Sequence, residues 1–217
     1  MVFKNRLDSL PEIEPLRRLC QSLAMLDAIM SPEWEYRYYS FNSKWASGEM
    51  MASMSNGSGD EYHILFTSVG AIIKGFAHES SMSPWTSESE KPWPGVLDEV
   101  PPEFQDFLCE PAFSIKDVTF CVWRKHADAF WQIGTVDYPT EADPDGSEEL
   151  LSILDGDPSK YVTFAHEYYE REISPLAVEQ IYRHRLLQAD VVSALNADVS
   201  IEELQGDVEQ VGYPSPE

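Results

Sequence analysis

The sequence predicts an α+β fold: an antiparallel sheet of about six strands, built as a meander plus a hairpin, with an N-terminal helix and a C-terminal group of short helices. Three observations predict it. Residues 34–76 are rich in aromatic and β-branched residues and are broken by Asn56-Gly57-Ser58-Gly59. Residues 117–137 alternate in the same manner. Residues 11–30, and most of the chain after Pro139, instead place apolar residues at helical steps.

The first helix is expected over 11–30. Leu16, Leu19, Cys20, Leu23, Leu26 and Met30 recur at steps of three and four, the spacing of one helical face. Pro11 and Pro15 suit its start, and Ser31-Pro32 ends it. A strand from Trp34 follows, with Trp34, Tyr36 and Tyr38 pointing one way and Glu35, Arg37 and Tyr39 the other. Asn56 to Gly59 tolerate positive φ and predict a hairpin loop. Gly70 marks the next turn, before a strand over 71–76. The mixed faces of these strands fit a sheet covered on one side and wet on the other.

Residues 78–102 carry Pro84, Pro92, Pro94, Pro101 and Pro102, which excludes a continuous helix or a central strand. Trp85 and Trp93 make this a packed arm, since an unfolded linker gains nothing from two indoles. Residues 102–108 should form a short helix. The second hairpin spans 117–137, turning at 126–129, with 130–136 returning. Beyond it, short helices are expected over 147–154, 158–172, 175–184 and 188–195, with Asp157 capping Pro158. Another helix starts near 200. Residues 1–205 therefore read as one domain, the sheet-forming part over about 34–137 and the helical part over about 147–205. Residues 206–217 read as a frayed tail.

The three cysteines, Cys20, Cys109 and Cys121, form no Cys-x-x-Cys pair and read as reduced thiols of a cytoplasmic protein. Residues 1–8 have no apolar stretch behind their two bases, so no signal peptide is expected. No apolar run approaches the about 20 residues that span a bilayer.

Charge is the most distinctive feature. The net charge is -23, from 38 acids and 15 bases. This disfavours direct nucleic-acid binding and anionic membranes, and favours a partner with a basic surface. Residues 141–157 hold seven acids and no base.

Catalytic and cofactor motifs are weak. There is no phosphate-binding loop, dinucleotide fingerprint, nucleophile elbow or His-Glu-x-x-His, and no cofactor is expected. Glu141, Asp143, Asp145 and Gly146 match the opening of a calcium loop, but Ser152 stands where a bidentate Glu is needed. The same acids suit the cap of the helix that follows, and no metal site is expected. His78 and Glu79, after a strand end, are the candidate acid–base groups. The candidate partner-binding residues are Asp143, Asp145, Glu148 and Glu149 on the acidic stretch, with Trp85 and Trp93 on the arm.

Residues 34–45, 70–76, 92–97 and 143–147 together resemble an uncharacterised family of acidic bacterial cytosolic proteins. In size and acidity the chain is also similar to immunity proteins of bacterial toxin systems, many of which cover a toxin with an acidic surface. That second likeness rests on general character and transfers no residues. It implies a non-enzymatic protein-binding protein whose partner has a basic surface, with toxin neutralisation as the concrete form. The alternative is a small enzyme with a pocket between the sheet and the arm, using His78 and Glu79.

Overall fold

The computed structural model describes residues 7–86, 91–111 and 113–216. It is α+β, with an N-terminal helix, a five-stranded antiparallel sheet and C-terminal helices. The strands are β1 (Tyr39–Ala46), β2 (Glu49–Ser55), β3 (Glu61–Phe66), β4 (Gly70–Phe76) and β5 (Phe120–Lys125), in sequence order across the sheet. The helices used below are α1 (Ile13–Met30), α2 (Gln105–Leu108), α3 (Ser147–Leu150), α4 (Pro158–Tyr169), α5 (Pro175–Tyr182), α6 (Ala189–Leu195) and α7 (Gln205–Val211). No helix among the described residues is long and apolar enough to cross a membrane. Part of the N-terminal stretch read for a signal peptide, residues 1–6, lies outside the described residues.

The sequence reads as one domain to residue 205. The chain packs as two compact units: unit 1 comprises 1–13 and 53–152, and unit 2 comprises 14–52 and 153–217.

In unit 1, β3, β4 and β5 pair antiparallel, with His63 opposite Lys74 and Lys74 opposite Cys121. Every residue of β4 is buried, so this strand is covered on both faces and not on the one face expected. The hairpin before β3 forms as predicted. Asn56 accepts hydrogen bonds from the Ser58 and Asp60 amides, and Gly57 and Gly59 have positive φ. Helix α2 follows a 3-10 turn over Pro102–Phe104.

A sixth strand was expected over 130–136. The described residues show a single bridge there, Trp123 with Gln132, after which the chain leaves the sheet. The cause is non-local. A Cβ on Gly134 would fall on the carbonyl of Gly95, and one on Gly95 on the carbonyl of Thr135. The two backbones touch at glycines, and Trp93 Nε1 donates to the Asp137 carbonyl at 3.1 Å. The return segment thus packs on the proline-rich arm and does not pair with β5.

Unit 2 is organised by α1. From Leu19 to Met30 this helix is buried on all sides, including Gln21, Ser22 and Asp27. A helix so covered belongs to the interior, and its polar groups need partners. Gln21 Nε2 donates to the Val211 carbonyl at 2.8 Å, closing the end of α7. Ser22 donates to the Ile181 carbonyl at 2.8 Å in α5. Asn196 Nδ2 donates to the Ile29 carbonyl at 2.9 Å, near the end of α1 itself. At Val211 and Ile29 side chains thereby satisfy carbonyls that helix ends leave open.

Two further expectations change in unit 2. Trp34 to Tyr36 form an exposed 3-10 turn, and the strand begins only at Tyr39. Residues 206–217 are expected to fray, yet α7 covers the whole first half, and Val211 and Tyr213 are buried. Tyr213 donates to the Ile181 carbonyl at 3.1 Å. Two buried side chains among the last seven residues are too few to show as a helical period. Helix α4 begins as predicted, with Asp157 accepting from the Ser159 amide at 2.9 Å, but it stops at Tyr169 because Glu170 turns left-handed.

Candidate functional site

The acidic stretch and the proline-rich arm come together in unit 1. Asp143 accepts from the amides of Glu148 and Glu149 at 2.9 and 3.0 Å, so it caps α3. Its carboxylate is half-buried and engaged, as a helix N-terminus favours. Asp145 is fully buried. Its Oδ1 accepts from the Ser147 amide and hydroxyl, and its carbonyl accepts from Thr119 Oγ1 at 2.7 Å. A carboxylate with that burial cannot meet a partner, so Asp145 leaves the proposed contact set. Glu148 and Glu149 remain exposed.

The arm is fastened to this turn. The Met82 amide and the Ser81 hydroxyl both donate to the Pro144 carbonyl, at 3.1 and 3.3 Å. Gly146 lies against Ala77 with no room for a Cβ. Three residues beyond Met82, Trp85 is 74% exposed, and its Nε1 donates to Asp117 at 3.0 Å. Trp93 is half-buried and tied to Asp137, so it is mainly a packing residue.

His78 gains a partner that no local signal announces. Its amide donates to Asp60 Oδ1 at 2.9 Å, and its Nδ1 lies 2.8 Å from the same oxygen. Asn56 Nδ2 holds the other oxygen of Asp60 at 2.7 Å. Burial pushes the Asp60 carboxyl up, but the bonds from His78 and Asn56 outweigh it and hold it below the usual range. Glu79 is 3.7 Å from His78 Nε2 and almost wholly exposed. An Asp-held imidazole with an outward Nε2 is the arrangement of a general base. It is equally the tether that joins a hairpin loop to the start of an arm.

A row of chemically able side chains lies on one face of the unit 1 sheet: His63, Lys74 and Cys121, directly opposite one another. Lys74 is buried, and its Nζ donates to the Ser114 carbonyl at 2.9 Å. Burial lowers the Lys74 ammonium against the opposing pull of Glu61 and Asp117. Burial drives the Cys121 thiol up to about 12 and the His63 imidazole down to about 4. At neutral pH the row therefore holds a neutral thiol and a neutral imidazole. A nucleophilic cysteine needs the reverse shift, so burial works against an activated Cys121 thiol. Among the described residues no group of three or more His, Cys, Asp or Glu is placed to hold a metal ion.

Unit 2 has its own polar centre and its own exposed rings. Asp27 Oδ2 accepts from the amides of Tyr38 and Tyr39, both at 2.8 Å, and Oδ1 accepts from the Tyr161 hydroxyl at 2.7 Å. Burial raises the Asp27 carboxyl to about 6, in spite of these bonds. Above it the rings of Tyr38, Phe164 and Tyr168 pack together, with centroids 4.6 to 5.6 Å apart. The Tyr168 hydroxyl donates to the Tyr36 carbonyl at 3.1 Å. Trp34, Tyr36 and Tyr168 stay 56%, 55% and 38% exposed. The sequence reading places Trp34, Tyr36 and Tyr38 on a strand and singles out no cluster with Phe164 and Tyr168; only the fold brings them together. A cleft of about 540 Å³ in unit 2 is lined by Gln205, Val208 and Tyr213 among others, and contains none of the candidate residues.

Comparison with protein-family models, curated proteins and solved structures finds no match.

Proposed function

We propose that this chain is a non-enzymatic protein-binding protein of the bacterial cytosol, whose partner presents a basic surface. A toxin-neutralising immunity role is its concrete form. One observation carries this reading: the Trp85 indole stands exposed on an arm bonded to the turn that displays Glu148 and Glu149. An exposed aromatic anchor beside charges of one sign is the composition of a binding surface.

The test is co-expression with a toxin encoded beside this chain. Wild type should restore growth, and Glu148→Lys with Glu149→Lys and Trp85→Ala should not. In vitro, affinity should fall steeply between low and high salt, since screening shortens electrostatic reach to about 8 Å. Rescue and affinity that ignore both the substitutions and the salt would remove the acidic surface from the account.

The Asp60–His78 bond favours a second reading, acid–base catalysis at the base of the arm with His78 and Glu79. On that reading His78→Gln abolishes function while leaving partner affinity unchanged. Full function in His78→Gln would dispose of it.

A further inference from the structure

The exposed rings of unit 2 form a second surface, on residues that the Trp85 reading does not use. Trp34 and Tyr36 lie on a 3-10 turn, and Tyr168 binds that turn through the Tyr36 carbonyl. The base beneath them is stiff. Tyr168 stacks on Phe164 with ring planes 9° apart and meets Tyr38 edge-on. The backbone at Tyr38 and Tyr39 is held by Asp27. Large rings kept exposed on a fixed base lose little entropy when covered, which is the property of a binding hot spot.

Charge selects the occupant. Glu33, Glu35, Glu167 and Glu170 are exposed and lie within two residues of these rings in sequence. Of the two nearby bases, Arg37 is paired with Asp207, which leaves Arg171 alone against four carboxylates. A second copy of a chain with net charge -23 would be repelled here. The protein already shows the fitting chemistry on itself: the Arg37 guanidinium lies 5.7 Å from the Trp34 ring centre while pairing with Asp207. A guanidinium can stack on an aromatic face and reach a carboxylate at once, and an ammonium does this less well.

We propose that Trp34, Tyr36 and Tyr168 form a docking surface for an arginine-rich segment of a protein partner. Two charge-matched synthetic peptides, one arginine-rich and one lysine-rich, test this against the full chain by titration at low salt with hydroxyl-radical footprinting. The arginine peptide should bind about five- to tenfold more tightly and should protect Trp34, Tyr36 and Tyr168. Trp34→Ala with Tyr36→Ala should remove that preference, while Trp85→Ala should leave it. The wild-type footprint needs no variant, so it decides the matter even if the double variant misfolds. Equal binding of both peptides without protection of these rings would overturn the proposal. So would protection that appears without peptide as protein concentration rises, because a second copy would then be the occupant.

Discussion

Asp27 in unit 2 and Asp145 in unit 1 are both fully buried acids, and each organises backbone that carries an exposed aromatic surface. Their partners differ in reach. Asp145 accepts from Ser147, two residues away, and shapes the turn to which the arm is bonded. Asp27 accepts from residues 11, 12 and 134 positions away, joining α1, the start of β1 and α4. One acid sets a local conformation. The other holds three separate pieces of chain under a ring cluster. The loss of Asp27 should therefore cost far more than the loss of Asp145, and should dissolve the surface that it supports.

Asp27→Ala leaves three buried donors without an acceptor. It should destabilise the protein by about 3–5 kcal/mol in chemical denaturation, the range for breaking a buried charged network. Asp27→Asn keeps an oxygen for the two amides and loses only the acceptor for the Tyr161 hydroxyl, so it should cost less than Asp27→Ala.

The same residue predicts a pH dependence of defined sign. Its folded carboxyl, at about 6, lies above the ordinary 3.8, so the folded state holds the proton more tightly. The stability that this contributes is complete below about pH 4 and is lost as pH rises through about 6. Taking wild type from pH 7 to pH 4 should raise its stability relative to Asp27→Asn by about 2 kcal/mol. Asp60 and Glu14, whose carboxyls lie below their ordinary values, act in the opposite sense, and the difference from Asp27→Asn cancels them. A difference that stays flat with pH would mean that Asp27 is already ionised without cost.

In unit 1 the effects should be smaller. Asp145→Ala, which strands the Ser147 hydroxyl and amide, should cost about 1–3 kcal/mol. Asp143→Ala, which removes only a helix cap, should cost about 1 kcal/mol. Glu148→Lys with Glu149→Lys should change thermal stability least, within about 0.5 kcal/mol, while altering affinity for a basic partner most. If that pair proved more destabilising than Asp145→Ala, the division between a buried structural acid and exposed binding acids would fail.

Local chemistry made much of the fold readable in advance. The spacing of Leu16 to Met30 marked α1, Asn56 to Gly59 marked the β2–β3 turn, and Asp157-Pro158 marked the start of α4. What escaped was non-local. Alternation over 130–136 is indistinguishable from a strand until Gly95 and Gly134 bring another backbone against it. Asp145 looks like its surface neighbours, and only Thr119 and the packing of the arm show it to be interior. Asp60 and His78 are eighteen residues apart with no motif between them. Trp34 and Tyr36 fit a strand by composition, yet Arg37, bonded to Ser31, Pro32 and Asp207, holds the chain in a turn there.

The most direct measurement compares surface and interior in one assay: calorimetric titration of the wild-type partner, or of the arginine-rich peptide, into four folded variants. Trp85→Ala and Trp34→Ala with Tyr36→Ala probe the surfaces. Cys121→Ser and His78→Gln probe the groups able to do chemistry. Partner binding should weaken about tenfold in Trp85→Ala, arginine-peptide binding should weaken about five- to tenfold in Trp34→Ala with Tyr36→Ala, and affinity and function should be unchanged in Cys121→Ser and His78→Gln. Surface variants that bind and function like wild type, beside a Cys121→Ser or His78→Gln protein that does not function, would contradict it.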